Sequence, residues 1–374
     1  MQYTEYELGE LLPFEQPTAY IVKSTDYCDA YATPVLTAGK SFILGKTNET
    51  DGIFDQLPVI IFDDFTTATQ FVNFRFKVKS SAMKILHINT DLVIPKYIFY
   101  RLQIIQFDHS THKRYWIQSY SKIKVLIPPL DEQFRIVAHI EELFSELDKA
   151  VDTLKTTKEQ LEVYRQAVLK DAFSDFEKKD SIRNLTMVVT SGSRGWAKYY
   201  SNSGALFVRI GNLTHSGIDI DFRDIQHITP PDNAEGVRTR LQPNDVLVSI
   251  TADLGSIGFV SEKVEEAYIN QHIALVRFQN PVQGRFMAWY LRSEYGQKDL
   301  LKNKRGGGKL GLGLDDIRDT PVPIVDDITA TEIVDKVEEQ LSVCDSIEKT
   351  VDTALTQADA MRQSILKQAF EGTM

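Results

Sequence analysis

The sequence predicts an α+β fold: two mixed α/β globular domains separated by an antiparallel coiled coil of two long helices, arranged as a pseudo-two-fold internal repeat. Three observations carry this. A long helical stretch free of Pro and Gly follows each globular segment. The two stretches share letters when shifted by 197 residues, and short β-type runs recur in the same order before each one.

Residues 1–125 form the first domain. Its β-type runs at 33–37, 42–44, 58–62 (PVIIF) and 74–78 (FRFKV) are punctuated by Gly39, Gly45 and Gly52. A helix is expected over PKYIFYRLQII (95–105), then the polar stretch DHSTHKRYW (108–116) and the strand SKIKVLIPP. Pro128-Pro129 set extended geometry, and Asp131 and Glu132 favour the start of the first long helix, in segment 126–180. Along it Ile136, Ile140, Leu143, Leu147, Ala150, Leu154, Thr157, Leu161, Tyr164 and Val168 alternate in steps of four and three, the 3.5-residue period of a coiled-coil seam.

The second domain, 181–320, repeats the order. VLVSI (246–250) stands for PVIIF, AYINQHIALVRF (267–278) for the FRFKV region, FMAWYLRSE (286–294) for YIFYRLQ, and NKRGGGKLGLG (303–313) for DHSTHKRYW. Segment 321–374 carries the second seam: Ile333, Val337, Gln340, Cys344, Ile347, Val351, Ala354, Ala358, Met361 and Ile365. YRQAVLKDAF (164–173) matches MRQSILKQAF (361–370). About 38 helical residues span about 57 Å. The nine residues 174–182 reach at most about 30 Å, too short to return the chain along the rod, so the helices are expected to run antiparallel.

The net charge of −10 is unevenly spread. The two helical segments hold −12 and the two domains together +2, so acidity does not exclude DNA binding by the domains. With 43% hydrophobic residues, no long apolar run and only Cys28 and Cys344, a soluble cytoplasmic protein without disulfides or membrane spans is expected. Enzyme signatures are missing. GGGKLGLG lacks the Ser or Thr after Lys309 and has Asn303 where a P-loop needs Gly. The histidines, His87, His109, His112, His139, His215, His227 and His272, are scattered and complete no metal site. Asp63-Asp64 reads as a strand-end turn rather than a nuclease carboxylate pair. No motif for a bound cofactor or metal is found in this chain.

Candidate DNA contacts lie in corresponding loops. In the second domain they are Arg194, Trp196 and Lys198, among Ser and Gly that let backbone approach phosphate, and Lys304, Arg305 and Lys309 among glycines. In the first they are Lys113, Arg114 and Tyr115, with Lys77 and Lys79 alternating on one strand face. Trp196 reads equally as a packing anchor, and any single cation as a solvated loop charge.

The chain resembles the specificity (S) subunit of type I restriction–modification systems. The match rests on IPPLDEQFRIVAHIEELFSELDKAVDTLKTTKEQLEVYRQAVLKDAF, on MRQSILKQAFEG, and on LTAGKSFILG (36–45), VRIGNL (208–213) and YINQHIALVRF in the domains. One departure is PVPIVDDITATEIV, which lacks the Glu-Gln pair of the first copy. The resemblance implies that 1–125 and 181–320 are target-recognition domains. Each would read one half of a bipartite, asymmetric site on double-stranded DNA, while the coil sets the unread spacer and docks methyltransferase (M) subunits, usually two. Restriction (R) subunits join the assembled enzyme. Catalysis would belong to those partners: adenine-N6 methylation with S-adenosylmethionine, and restriction driven by ATP with Mg. The competing readings are a two-headed coiled-coil adaptor that binds protein, and a self-sufficient DNA-modifying enzyme.

Overall fold

A computed structural model describes residues 3–37, 41–108, 114–305 and 310–371. The chain divides into two compact units, Met1–Leu154 with Thr353–Met374, and Lys155–Asp352. Each unit holds one head and a part of both long helices. Among the described residues no helix is long and apolar enough to cross a membrane.

The first head opens with strand β1 (Thr4–Glu7) and the short helix α1 (Leu8–Leu11). Strands β2 (Phe14–Glu15), β3 (Thr33–Leu36), β4 (Ile43–Thr47), β5 (Val59–Asp63), β6 (Thr69–Val72), β7 (Lys77–Val78) and β8 (Met83–Leu86) follow, then α2 (Pro95–Leu102), α3 (Tyr115–Gln118) and β9 (Lys124–Ile127). Four strands make one sheet in the order β2-β8-β5-β6, and β4-β3-β7 make another in which β3 and β7 run parallel. Strand β1 pairs antiparallel with β9, closing the head where the chain leaves it for the long helix α4 (Leu130–Ala172).

The second head repeats this plan. It comprises β10 (Lys179–Ser181), α5 (Ile182–Leu185), β11 (Thr186–Ser191), β12 (Tyr200–Ser201), β13 (Ala205–Val208), β14 (Gln226–Ile228), α6 (Ala234–Thr239), β15 (Val246–Ser249), β16 (Ile257–Phe259), β17 (Ala267–Ile269) and β18 (Ile273–Phe278). Helices α7 (Gln283–Arg292), α8 (Glu294–Leu300) and α9 (Leu314–Arg318), strand β19 (Pro321–Pro323) and the long helix α10 (Asp327–Glu371) complete the chain. The sheet β11-β18-β15-β16 answers β2-β8-β5-β6. The sheet β12-β14-β13-β17 answers β4-β3-β7 with one strand added, and its β13–β17 pair is again parallel. The closing pair is β10 with β19. The segment correspondences expected from the sequence therefore hold strand by strand.

Within each unit the long helices run antiparallel. In the second, Lys158, Arg165 and Asp171 of α4 meet Asp352, Asp345 and Lys336 of α10, one series rising as the other falls. In the first, Ile140 and Phe144 share a core with Ile365, Leu366 and Ala369, and Arg362 pairs with Asp148. Arg165–Asp345 and Arg362–Asp148 are the same contact carried through the 197-residue repeat.

Most of the expected seam positions lie at least partly inside. Ile140, Leu161, Val168, Val337, Cys344, Val351 and Ile365 are buried, and Ile136, Leu143, Leu147, Leu154 and Ile333 are half-buried. Four positions are corrected: Ala150 is exposed, and so are Tyr164, Ile347 and Met361, at 48%, 40% and 54%. Beside the last three, Arg165, Glu348 and Arg362 turn inward and are ion-paired instead. The apolar stripe is also wider than one seam, because Val137, Phe144, Leu169, Val334, Leu341 and Leu366, each one residue past a seam position, are buried.

That second column of side chains receives the heads. In the first unit, Lys96 of α2 is ion-paired with Glu141 of α4, Tyr100 packs edge-on against Phe144 with ring centroids 5.6 Å apart, and Tyr97 packs edge-on against Phe370 at 5.2 Å. In the second unit, Arg285 and Trp289 of α7 both hold Glu338 of α10, and Phe286 lies 5.5 Å from Phe173. Glu141 and Glu338 are 197 residues apart, as are Phe173 and Phe370, and the head residues keep a constant offset of 189.

The two helix starts are built differently. The side chain of Gln133 is fully buried; its oxygen accepts from Ile94 N at 2.8 Å, and its nitrogen donates to the carbonyls of Leu92 (3.0 Å) and Pro128 (2.9 Å). The repeat places buried Ala330 at that position in α10. There the head supplies the amide: Gln283 Nε2 donates to Val325 O (2.8 Å) and Asp327 (3.1 Å), and Asn280 Nδ2 donates to Asp327 (2.6 Å). Asp326 caps the helix by accepting from Thr329 N at 2.8 Å, which holds its carboxyl below the usual carboxylate range. The missing Glu-Gln pair is thus replaced by Asn280 and Gln283 from the other side of the joint.

Candidate nucleic-acid interface

The loops at one end of each four-stranded sheet carry the candidate contacts, and the backbone fixes them alike. In the first head Asp64 N donates to Ala82 O (3.3 Å) and Tyr115 N to Asp64 O (2.9 Å). In the second, Ile250 N donates to His272 O and Leu312 N to Ile250 O, both at 2.9 Å. Tyr115 and Leu312 therefore occupy one place, and both are buried. The loops expected to correspond, ending in Arg114 and in Gly311, lead into that shared place.

Three expected contact residues are corrected. Lys77 is 1% exposed, donating to Asp51 O at 2.5 Å and pairing with Glu49 at 3.0 Å, so it braces the β7 edge and presents no charge to a ligand. Tyr115 is buried against Phe107, with ring centroids 5.0 Å apart. Trp196 is 3% exposed, stacked on Phe207 at 5.1 Å, and its indole N–H donates to Glu235 at 2.5 Å, so of its two readings the packing anchor holds. The sequence places Lys77 on a strand face and Tyr115 and Trp196 in loops, and tertiary packing turns all three inward.

Lys113 and Lys309 lie outside the described residues, as do His109 and His112. The remaining candidates are exposed: Lys79 and Arg114 in the first head, Arg194, Lys198, Lys304 and Arg305 in the second. Arg114 rests over the Phe65 ring and Lys198 over the Tyr199 ring. Arg305 pairs with Asp316 at 2.8 Å while its side chain stays 77% exposed. Asp63 and Asp64 are not a catalytic pair. Asp63 accepts from Phe65 N (2.8 Å) and Thr66 N (3.2 Å) as a turn, and Asp64 is buried 3.2 Å from Lys84.

The loop bearing Arg194 is held in place. Arg238 donates to Thr190 Oγ1 (3.0 Å), Ser191 O (2.9 Å) and Ser193 Oγ (2.5 Å). A Cβ on Gly192 would fall 2.3 Å from the carbonyl carbon of Asn270, so only glycine lets the loop lie on the end of β17. The result is a cleft of about 710 Å³ whose lining includes Arg194, Arg305, Thr251 and His272. The scattered histidines of the sequence gave no warning of it. The signal available was Asn270-Gln271-His272 between two strands, opposite Thr251 at the end of the neighbouring one.

Two heads of one topology, seated by repeat-related contacts on antiparallel long helices and presenting exposed cations from fixed loops, define a pseudo-symmetric two-headed binding scaffold. Comparisons give it relatives. The chain is similar to the specificity subunit of the type I restriction enzyme EcoR124I/EcoR124II of Escherichia coli, 45% identical over 174 residues that make up 43% of each chain. It is also similar to the EcoBI specificity subunit of Escherichia coli, 25% identical over 281 residues (66% of this chain, 58% of that one), and to the StySPI specificity subunit of Salmonella potsdam, 29% identical over 280 residues (68% and 58%). The chain thus spans about half the length of the curated relatives it matches. No family model matches.

Solved structures share the fold. A chain from a study of complex assembly and conformational transition in the type I R-M system superposes with a TM-score of 0.72 at 16% identity, covering 98% of this chain and 97% of that one. The HsdS subunit from Thermoanaerobacter tengcongensis gives 0.53 at 16% identity, covering 100% and 97%. The resemblance read from the helix motifs stands: the curated relatives are type I restriction enzyme specificity subunits.

Proposed function

We propose that this chain is the DNA-specificity subunit of a type I restriction–modification complex. The domains 1–125 and 181–320 act as target-recognition domains, each reading one half of a bipartite, asymmetric site. The helical segments 126–180 and 321–374 set the unread spacer and dock M subunits, two per chain as the repeat suggests. Double-stranded DNA, M subunits and R subunits are the partners, and S-adenosylmethionine, ATP and Mg belong to those partners' chemistry.

The observation that carries this reading is the contrast between seat and loop. The contacts that join head to helix recur through the repeat, while the exposed cations differ between heads. Such a chain holds two dissimilar readers in equivalent frames, which suits a non-palindromic target. Tyr164, Ile347 and Met361, apolar and exposed on the long helices, supply surface for a docked subunit.

The test is a single-molecule methylation map of cells with and without the chain. A methylated adenine motif split by a fixed gap, lost on deletion, supports the reading. Unchanged methylation with an active neighbouring methyltransferase refutes it and favours the protein-binding adaptor.

A further inference from the structure

The cleft of the second head has a polar floor whose hydrogen bonds define what it accepts. Gln271 Nε2 lies 2.8 Å from His272 Nε2; with the amide in this orientation that ring nitrogen accepts and the proton belongs on Nδ1. Nδ1 in turn lies 2.5 Å from Thr251 Oγ1 and donates to it. Accepting on one lone pair, the Thr251 hydroxyl keeps its proton free to give. The next residue, Ala252, holds a left-handed backbone (φ 60°), a conformation an alanine adopts only where its surroundings impose it. Arg194 and Arg305 add guanidinium donors to the same cleft. Of the acidic groups there, Asp316 is held by Arg305 and Gly313 N, while Asp315 pairs with Arg183 and Arg318 through Oδ1 and its side chain stays 75% exposed. The donor side of the cleft, Thr251 with Arg194 and Arg305, suits a ligand edge made of acceptors.

On DNA the major-groove edge with two adjacent acceptors is guanine, through N7 and O6; adenine and cytosine present an amino donor there. We propose that this cleft reads a guanine in the half-site of the second head, with Thr251 donating to the base, His272 positioning that hydroxyl, and Arg194 and Arg305 completing the donor set. The inference rests on the DNA-specificity reading and deepens it by naming a base and a head. The first head places Ala82 where His272 stands, so it has no such relay at that position and is expected to read different chemistry.

The experiment is the methylation map of cells carrying the full chain and its methyltransferase, repeated with Thr251→Val, His272→Ala and Thr251→Ser. Thr251→Val keeps the side-chain volume and removes the hydroxyl, and chain level is read in the same cells. The expected result is relaxation at one guanine position in one half-site. Sites with another base there gain methylation roughly tenfold or more relative to the guanine site, as one lost base contact predicts. The other half and the gap stay fixed, and Thr251→Ser recovers the preference that Thr251→Val loses. An unchanged motif with both Thr251→Val and His272→Ala overturns the proposal. So does an equal loss at every site with the chain at its normal level, which marks a phosphate contact. If the unaltered chain directs no split motif, the DNA-specificity reading fails first and this inference with it.

Discussion

The two heads are the same building with different furniture. Sheet order, the parallel inner pair, the closing strand pair and the backbone hydrogen bonds at the loop ends all recur. Side chains at matching places do not. The first head buries the ion pair Lys84–Asp64, where the second has Ala274 and Ile250, both apolar. The first has Ala82, the second His272. Seats on the helices show the opposite trend: Glu141 and Glu338, Phe370 and Phe173 are retained. Invariance is thus concentrated where head meets helix, and divergence at the loop ends of the sheets.

The comparison breaks most visibly at the seats. Phe173 is 2% exposed between Phe286 and Tyr290, so Phe173→Ala is expected to cost about 3–5 kcal/mol in denaturant unfolding. Its counterpart Phe370→Ala is half-buried and costs less; equal losses contradict the asymmetry. Gln133→Ala leaves the part-buried Ile94 N–H and Leu92 O and the buried Pro128 O without this partner, about 1–3 kcal/mol for each group that finds no water. Gln283→Ala, facing the exposed Asp327, falls well below that.

Smaller effects sharpen the picture along the coil and the loops. Arg165→Met removes a side chain 9% exposed and held by Asp345 (2.7 Å) and Glu348 (2.9 Å), a loss of about 1.5–3 kcal/mol. Arg362→Met, 37% exposed, loses about 0–1 kcal/mol, and added salt shrinks that further. Replacing Arg194, Lys198 and Lys304 with Gln leaves stability within about 0.5 kcal/mol, whereas Arg305, the partner of buried Asp316, is left in place. In the assembled complex the same change flattens the salt dependence of DNA binding by about one unit for each phosphate contact removed. The shorter set Lys79 and Arg114 flattens it less.

The helices, their repeat and the strand order were legible because periodicity of 3.5 or 2 is written in the letters themselves. The seam erred for a physical reason. At Tyr164 and Met361 the inward place is taken by the next residue, Arg165 and Arg362, while Val168 and Ile365 beyond them keep the strict register. Arginines with stems long enough to lie in a seam do not look apolar, and an apolar template skips them. The loop residues were less legible. Lys77, Tyr115 and Trp196 owe their burial to Glu49, Phe107 and Glu235, partners at sequence separations that no local pattern encodes. The same holds for the floor of the cleft, where Thr251 and His272 come from different strand ends.

The unequal helix starts bear on whether the two heads are interchangeable. Recombination that moves a head between the two slots does not treat them alike. Placed in the second slot, the first head would bring Ile94 N–H and Leu92 O to an alanine, Ala330, and find no amide to receive them. Placed in the first, the second head would carry Gln283 into a joint already filled by Gln133. Each head is keyed to its slot, and shuffling that preserves folding is expected to swap first heads with first heads and second with second.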